Sequence, residues 1–273
     1  MSAAPHDDPA VLDAADADAV LDLFSHMRSD ARSRLGASVT RLGDGVALSC
    51  TALPSPVFNR VLGIGSMSPA TRADIRRAAD HYRDLEIDNW AIMVADAATP
   101  PAFTSWLDEA GLRPGLRSAK LWHAMDALPG RIGNLVVRRT DDVELVAEVL
   151  TEAYGSDRLL RDWWQAPIGQ PTWQHYAAWR DQRVVAVAAL RLAPPVAWLG
   201  YAGALPEARR LGAQSALIAH RLRAAADAGC RIAVAETADD TPDQPNPSFR
   251  NLMHLGFRLA YRRTSWLAGP GVH

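Results

Sequence analysis

The chain has 273 residues, 48% of them hydrophobic and 22% charged, which suits two modest domains with ordinary cores. Its formal net charge of −2 leaves no electrostatic footprint for nucleic acid or for an anionic membrane surface. The two cysteines, Cys50 and Cys230, lie too far apart for a CxxC site, so each reads as a small core residue rather than part of a metal or redox centre.

Met1 to Asp18 is rich in Ala and Asp and lacks the basic start and apolar stretch of a signal peptide. No run approaches the roughly 18 apolar residues of a membrane span, so the expectation is a cytoplasmic protein. Val20, Leu21, Leu23, Phe24 and Met27 fall at helical spacing and predict a helix over Ala15 to Arg34. Gly43-Asp44-Gly45 signals a turn before a strand over Val46 to Ala52. Pro54 and Pro56 mark a loop, and Asn59 to Ile64 is a short apolar segment ending in Gly65. Ser68-Pro69 opens a helix to about Asp84. Trp90 to Ala95 has the character of a buried strand. Thr99-Pro100-Pro101 starts a helix that Gly111 closes, and Leu116 to Met125 reads as a strand. Pro129-Gly130 then marks a boundary, dividing the chain into 1–129 and 130–273.

The second segment opens with a strand over Asn134 to Arg139. Thr140-Asp141-Asp142 caps a helix over Val143 to Tyr154, and another is expected over Asp157 to Gln165. Trp173 to Trp179 and Arg183 to Leu192 flank the hairpin turn Arg180-Asp181-Gln182. Pro194-Pro195 leads into a strand over Val196 to Ala204. Pro206 to Ala228 reads as helical over most of its length, with the stripe Leu217, Ile218, Leu222 and Ala225. Ile232 to Ala235 is a short buried strand. Ser248 is expected to cap a helix to His254, and Leu259 to Leu267 closes as a strand. The order β-α-α-β-β-β-α-β-α-β places antiparallel strands first and a parallel crossover after them. The fold class is α/β in the α+β sense: mixed, mostly antiparallel sheets flanked by helices. Both halves end in helix, Gly and strand, at Ala110-Gly111-Leu112 and Leu255-Gly256-Phe257, which hints at a duplicated unit.

The stretch from Leu205 to Leu217 carries the chemistry. A helix start leaves backbone N–H groups unpaired and adds partial positive charge, so a loop wrapped onto it can present amides to a pyrophosphate. Gly212 permits close approach, and Arg209 and Arg210 add cations. Alone, this pattern also describes a plain helix start with solvated arginines.

Arg209-x-x-Gly212-x-Gln214, preceded by Pro206-Glu207, resembles the Q/R-x-x-G-x-G/A signature of the GNAT acetyltransferases. Asn251 to Phe257 resembles the closing Gly-Phe segment of that family. The resemblance covers roughly Asn134 to Trp266. The first half is similar to the degenerate partner of tandem GNAT proteins, with Pro54 to Arg60 suggestive of them and no phosphate loop. The resemblance implies acetyl-CoA or another acyl-CoA as co-substrate and no metal. It implies pantetheine pairing with main-chain groups near Ala204 and Leu205. It also implies pyrophosphate held by Arg209 and by amides of Arg210, Leu211, Gly212, Ala213, Gln214 and Ser215. Ser248 and Asn251 would face the pantetheine or thioester. Two positions depart from the pattern. Gln214 replaces Gly or Ala, so either its side chain points away from the pyrophosphate or the loop differs. Leu252 stands where many relatives place the tyrosine that protonates the leaving thiolate.

Transfer of an acyl group from a thioester to an amine needs a base, stabilisation of the carbonyl oxygen and protonation of the thiolate. No covalent nucleophile is required when both substrates are held side by side. Glu236 is the first candidate for the base, against a solvated strand-end carboxylate. Tyr201 is the candidate donor to the thiolate, against half-buried packing. His254 and Tyr261 are weaker candidates, and the backbone N–H of Ala204 or Leu205 is placed to polarise the carbonyl. HExxH, G-x-S-x-G and GKS/GKT motifs are absent from the sequence. Core packing explains most of the tryptophans, but Trp163 and Trp164 lie where GNAT proteins place acceptor-side helices, and either of them lining the acceptor pocket would favour an apolar or aromatic amine. The expected partner is a small-molecule amine, with no nucleic acid or membrane, and the chain a monomer or homodimer. A non-catalytic acyl-CoA sensor and a site for another nucleotide are the alternatives.

Overall fold

A computed structural model of the chain describes residues 9–66, 68–95, 100–156 and 158–269. Thr99 and Asp157, read above as helix starts, and the first eight residues of the Ala- and Asp-rich terminus lie outside them. The described chain divides into two compact units. To the first belong the residues up to Phe24, Arg28–Lys120 and those from Ala260 on; to the second, Ser25–Met27 and Leu121–Leu259.

In chain order the first elements are α1 (Pro9–His26), α2 (Ser29–Leu35), β1 (Ala37–Leu42), β2 (Gly45–Cys50), β3 (Arg60–Leu62), α3 (Arg72–Asp84), β4 (Trp90–Ala95), α4 (Phe103–Glu109) and β5 (Arg113–His123). The single helix expected over Ala15 to Arg34 is two. Arg28 is extended, at φ −59° and ψ 147°, and the Ser29-Asp30 pair that follows favours a helix start over a helix interior. Strand β1 went unanticipated because its residues are half-buried or exposed without a clean alternation. By contrast, β2 and β4 are buried along their whole length.

Within the first unit the strands lie in the order β1-β2-β3-β4-β11-β5, where β11 (Arg258–Ala268) is the last strand of the chain. Strand β11 pairs antiparallel with β4, Arg263 opposite Ala95 and Ala268 opposite Trp90. The contact-defined units are thus discontinuous in sequence, where the segments 1–129 and 130–273 are continuous. The core gathers Tyr82, Trp90, Ile92, Phe103 and Leu107, with Tyr82 stacked on Trp90 at 4.8 Å. Beside it lies a buried ionic group. Asp13 and Asp16, three residues apart on α1, meet Arg263 of β11, and Asp16 also meets Lys120 of β5. Pairing is what permits such charges in a core. Tyr261 is part of this group: it is buried, and its hydroxyl donates to Asp13, which removes it from the candidate catalytic side chains.

The second unit is built from β6 (Val136–Thr140), α5 (Val143–Tyr154), α6 (Arg161–Gln165), β7 (Trp173–Arg180), β8 (Arg183–Ala193), β9 (Val196–Ala204), α7 (Ala213–Asp227), β10 (Ile232–Ala238) and α8 (Pro247–His254). Its strand order is β10-β9-β8-β7-β6. β6 to β9 are antiparallel neighbours, and β9 and β10 are parallel. Asp142 caps α5 by accepting from the amide of Leu145 at 3.0 Å. Both units therefore contain a β-α-β crossover between parallel neighbours, β3-α3-β4 and β9-α7-β10. Cys50 and Cys230 are both buried free thiols, and burial pushes the Cys50 thiol up to about 12. Among the described residues no helix is long and apolar enough to cross a membrane.

Candidate functional site

The connection from β9 to α7 is longer than the sequence suggests. The helix expected from Pro206 begins only at Ala213, after a single 3₁₀ turn at Pro206–Ala208. Arg209 is extended, and Arg210 and Gly212 take left-handed conformations at φ +67° and +75°. That sequence of conformations turns the chain back onto the helix start instead of continuing it. An ideal Cβ on Gly212 would meet nothing within 4 Å, so it is the left-handed φ and not crowding that favours glycine there. Among the described residues the amides of Arg210, Gly212, Ala213, Gln214 and Ser215 have no recorded backbone acceptor. The amide of Leu211 reaches Ala208 O at 3.4 Å, and helical bonding resumes with Ala216 donating to Gly212 O at 2.9 Å. Arg209, Arg210, Leu211 and Gly212 are exposed, and the first turn of α7 holds no acid. This is an anion-accepting helix start with two cations beside it.

Gln214 points away from that start, the first of the two outcomes that its departure from the family pattern allows. Its amide nitrogen donates to the Ser248 hydroxyl, and its carbonyl oxygen accepts from Asn251 Nδ2 at 2.7 Å. Ser248 and Asn251 are thereby tied to α7. Ser248 does not cap α8: Asn246 does, accepting from the Ser248 amide at 2.9 Å, with Pro247 in the first helical position. Leu252 is buried on the same helix and His254 is exposed.

Next to the loop, the sheet opens. Pairing of β9 with β10 ends at Leu199↔Ala235, although β9 continues to Ala204 and β10 to Ala238. On its other side β9 carries a bulge: Val187 pairs with Gly203 but Ala189 with Gly200, so Tyr201 and Ala202 stand opposite Ala188 alone. Tyr201 sits there at φ +43°, a costly conformation for a residue with a bulky side chain. Beyond Leu199 and Ala235 the two strands are no longer paired, and the bulge lies in that unpaired part of β9. Glu236 is the first β10 residue beyond the last pair, and Tyr201 lies two residues beyond it on β9. Both are half-buried. Of the main-chain groups expected to serve here, the Leu205 amide is already engaged, donating to Val185 O at 3.0 Å.

Aromatic side chains gather around the bulge. The Tyr201 ring lies 5.3 Å from Trp164, 5.1 Å from Trp198 and 6.2 Å from Trp173, and Tyr154 stacks on Trp164 at 5.4 Å. A Cβ on Gly200 would lie 1.8 Å from the Trp198 ring, so only glycine fits beneath that indole. Trp164 is buried with its indole N–H unpartnered among the described residues. Tyr154, which sequence reasoning did not single out, donates to the Ala202 carbonyl at 3.1 Å.

Arg221 was missed as well. It interrupts the apolar stripe of α7 between Ile218 and Leu222, and that interruption was the available signal. Its guanidinium is buried and donates to Ala189 O at 2.8 Å and to Gly200 O at 3.4 Å, the cross-strand pair on one side of the bulge. Burial pulls its pKa down to about 10, with Tyr154 and Tyr176 working against the shift, so it remains a cation at neutral pH. The bulge is thus held by a fixed positive charge from beneath.

Comparison with known proteins agrees with this geometry. The model of the acetyltransferase (GNAT) family matches residues 142–257. A GCN5-related N-acetyltransferase from Kribbella flavida is similar in structure at TM-score 0.66 and 19% identity, covering 97% of this chain and 96% of its own. One from Sphaerobacter thermophilus gives TM-score 0.62 and 14% identity, over 98% and 95%. A tandem GNAT protein from the clavulanic acid biosynthesis pathway gives 0.60 and 17%, over 86% and 83%. At these identities the likeness is one of fold. A search of the curated proteins returned no match. The family match spans the crossover, the bulge and the closing Gly-Phe, so residues 142–257 carry a GNAT-family domain.

Proposed function

We propose that the protein is an N-acyltransferase that moves an acetyl or other acyl group from its CoA thioester to a primary amine of a small molecule by direct attack. The observation that carries this is the set of unpaired amides of Arg210 and of Gly212 to Ser215 at a helix start, directly after a strand whose own edge is open. The pyrophosphate of CoA would take the amides and Arg209, and the pantetheine arm the free edge of β9 around Ala204. The arm would then lead the thioester to the bulge. There, Glu236 would accept a proton from the incoming amine or through a water, and Tyr201 would donate to the departing thiolate. The ring cluster of Trp164, Trp173, Trp198 and Tyr201 favours an acceptor with an apolar or aromatic body. In this reading 1–129 and 130–273 are tandem GNAT-like modules, and only the second binds the acyl donor.

A second reading is favoured by one observation. Leu252, where many relatives carry the thiolate-protonating tyrosine, is a buried apolar side chain, as a protein that binds acyl-CoA without turnover would tolerate. Thiol release from acetyl-CoA against a panel of aryl and alkyl amines separates the two. Turnover that falls in Glu236→Gln and Tyr201→Phe supports the enzyme, whereas tight CoA binding with no amine-dependent thiol release supports the sensor.

A further inference from the structure

We infer that the second unit contains a separate binding site for a small organic carboxylate, in the cavity between α7, β6 and the segment leading into β6. The cavity measures about 240 Å³ and is lined by Arg131, His220 and Arg223 together with apolar groups that include Ile132, Leu135 and Ala216. It belongs to no step of the acyl transfer proposed above.

The argument is one of uncompensated charge. Ala216, His220 and Arg223 fall at i, i+4 and i+7 on α7 and so share a face. Arg131 reaches the same cavity from the segment before β6. No Asp or Glu lines it, and among the described residues neither guanidinium meets a carboxylate. Arg223 is held in place by a hydrogen bond from Nη1 to Pro129 O at 2.9 Å, which leaves its other donors available. It lies close enough to His220 to add to the depression that burial imposes on the imidazole. Elsewhere in the molecule arginines are commonly placed beside acids, as in Arg28–Asp30, Arg72–Glu109 and Arg161–Glu144. Two guanidiniums converging on one concavity without a counter-charge cost Coulomb energy that a bound anion removes.

The apolar lining selects the class of anion. A carboxylate takes the two arginines with its oxygens, and its hydrocarbon part covers Ile132, Leu135 and Ala216. A phosphate would leave that surface against water. The volume limits the occupant to a few heavy atoms beyond the carboxyl, well below a cofactor.

Calorimetric titration of the full chain with benzoate and with inorganic phosphate tests this on the natural protein, Arg131→Glu and Gly212→Asp. Arg131 is exposed, so the charge reversal leaves the core untouched. The expected result is one benzoate per chain, with phosphate weaker. Affinity falls about tenfold or more in Arg131→Glu, the loss of one charge-assisted contact. It is unchanged in Gly212→Asp, which is the variant that abolishes the proposed CoA site. The inference is overturned by absence of saturable benzoate binding, by full affinity in Arg131→Glu, by phosphate binding as tightly as benzoate, or by loss of benzoate in Gly212→Asp. That last outcome places the carboxylate at the CoA loop. CoA binding is scored separately, so a failed acyltransferase reading leaves this result intact.

Discussion

The two β-α-β crossovers have the same backbone plan and opposite helix starts. Before α3, the Thr71 amide and hydroxyl both donate to the Asp74 carboxylate at 2.7 Å, and Arg77 holds the same group. Partial burial works against ionisation there, but these hydrogen bonds keep Asp74 below its ordinary pKa. The chain's own carboxylate thus occupies the place of an external anion, with Asp44 close by on Ser68. Before α7, Gly212 stands in place of the threonine, the first turn has no acid, and two arginines replace Asp44. The same crossover plan can offer free amides to an anion or close them with its own carboxylate according to which residues stand at its first turn.

The comparison breaks if both crossovers bind CoA. One CoA per chain is expected by calorimetry, and Gly212→Asp, which puts a carboxylate where Asp74 already stands in the other crossover, should weaken it by a hundredfold or more. That is about 2.7 kcal/mol of lost charge-assisted hydrogen bonding and added repulsion. Unchanged affinity would remove the loop from the site.

The units also differ in how they bury polarity. The first pairs its charges, Asp13 and Asp16 with Arg263 and Lys120, whereas the second buries His175 with Nδ1 unpartnered among the described residues. Burial lowers the His175 pKa to about 4, against a partial opposing effect of Asp141. The unfolded chain protonates this histidine from about 6.5 downward while the folded chain does not. The unfolded state therefore binds more protons between those values, and stability falls as pH drops through that window. Denaturant unfolding at pH 7 and pH 4.5 should differ by about 2–3 kcal/mol more in the natural protein than in His175→Phe, which keeps the ring packing against Trp173. An equal pH dependence in both would show that His175 is compensated.

A smaller effect is expected from Arg221→Met. Tyr82 on α3 donates to Leu48 O of β2 at 2.7 Å, and Arg221 on α7 donates to Ala189 O of β8: each crossover helix bonds into the sheet, one with a neutral phenol, the other with a cation. Only the cation reaches a second carbonyl, that of Gly200 beside the bulge. If the bulge positions the thioester, Arg221→Met lowers kcat about tenfold while CoA affinity changes little. A parallel fall in CoA affinity would assign Arg221 to stability alone.

How much of this was legible follows the same division. Strands buried on both faces, such as β2 and β4, and well-capped helices such as α5 are clear from residue type, because burial and capping leave marks in the sequence itself. The reading of the loop as a candidate phosphate site rests on Gly212 and the arginines. The late start of α7 was not legible, since Leu205 to Gly212 contains no residue that forbids a helix after Pro206. The membership of β11 in the first unit was also hidden: pairing partners over 160 residues apart, such as Arg263 and Ala95, are set by which edge is open and not by local pattern. The Gln214 contacts with Ser248 and Asn251 were half legible. The bulk of Gln214 implied that it must turn away or the loop must differ, but its partners depend on where α8 packs.

The mildest test asks whether the first crossover is merely blocked. Asp74→Ala removes the acceptor for the Thr71 amide and hydroxyl, and with it the cap of α3. Loss of a helix cap costs about 1 kcal/mol, so a modest drop in unfolding free energy is expected from denaturant titration. CoA stoichiometry should stay at one. Thr71 still lacks the conformational freedom of Gly212, Asp44 remains nearby, and no arginine pair stands beside the freed amides as Arg209 and Arg210 do beside α7. If removing Asp74 alone created a second CoA site, the carboxylate would be the whole difference between the crossovers. If it does not, a phosphate loop also needs its glycine and its cations, and one substitution cannot restore what several residues jointly provide.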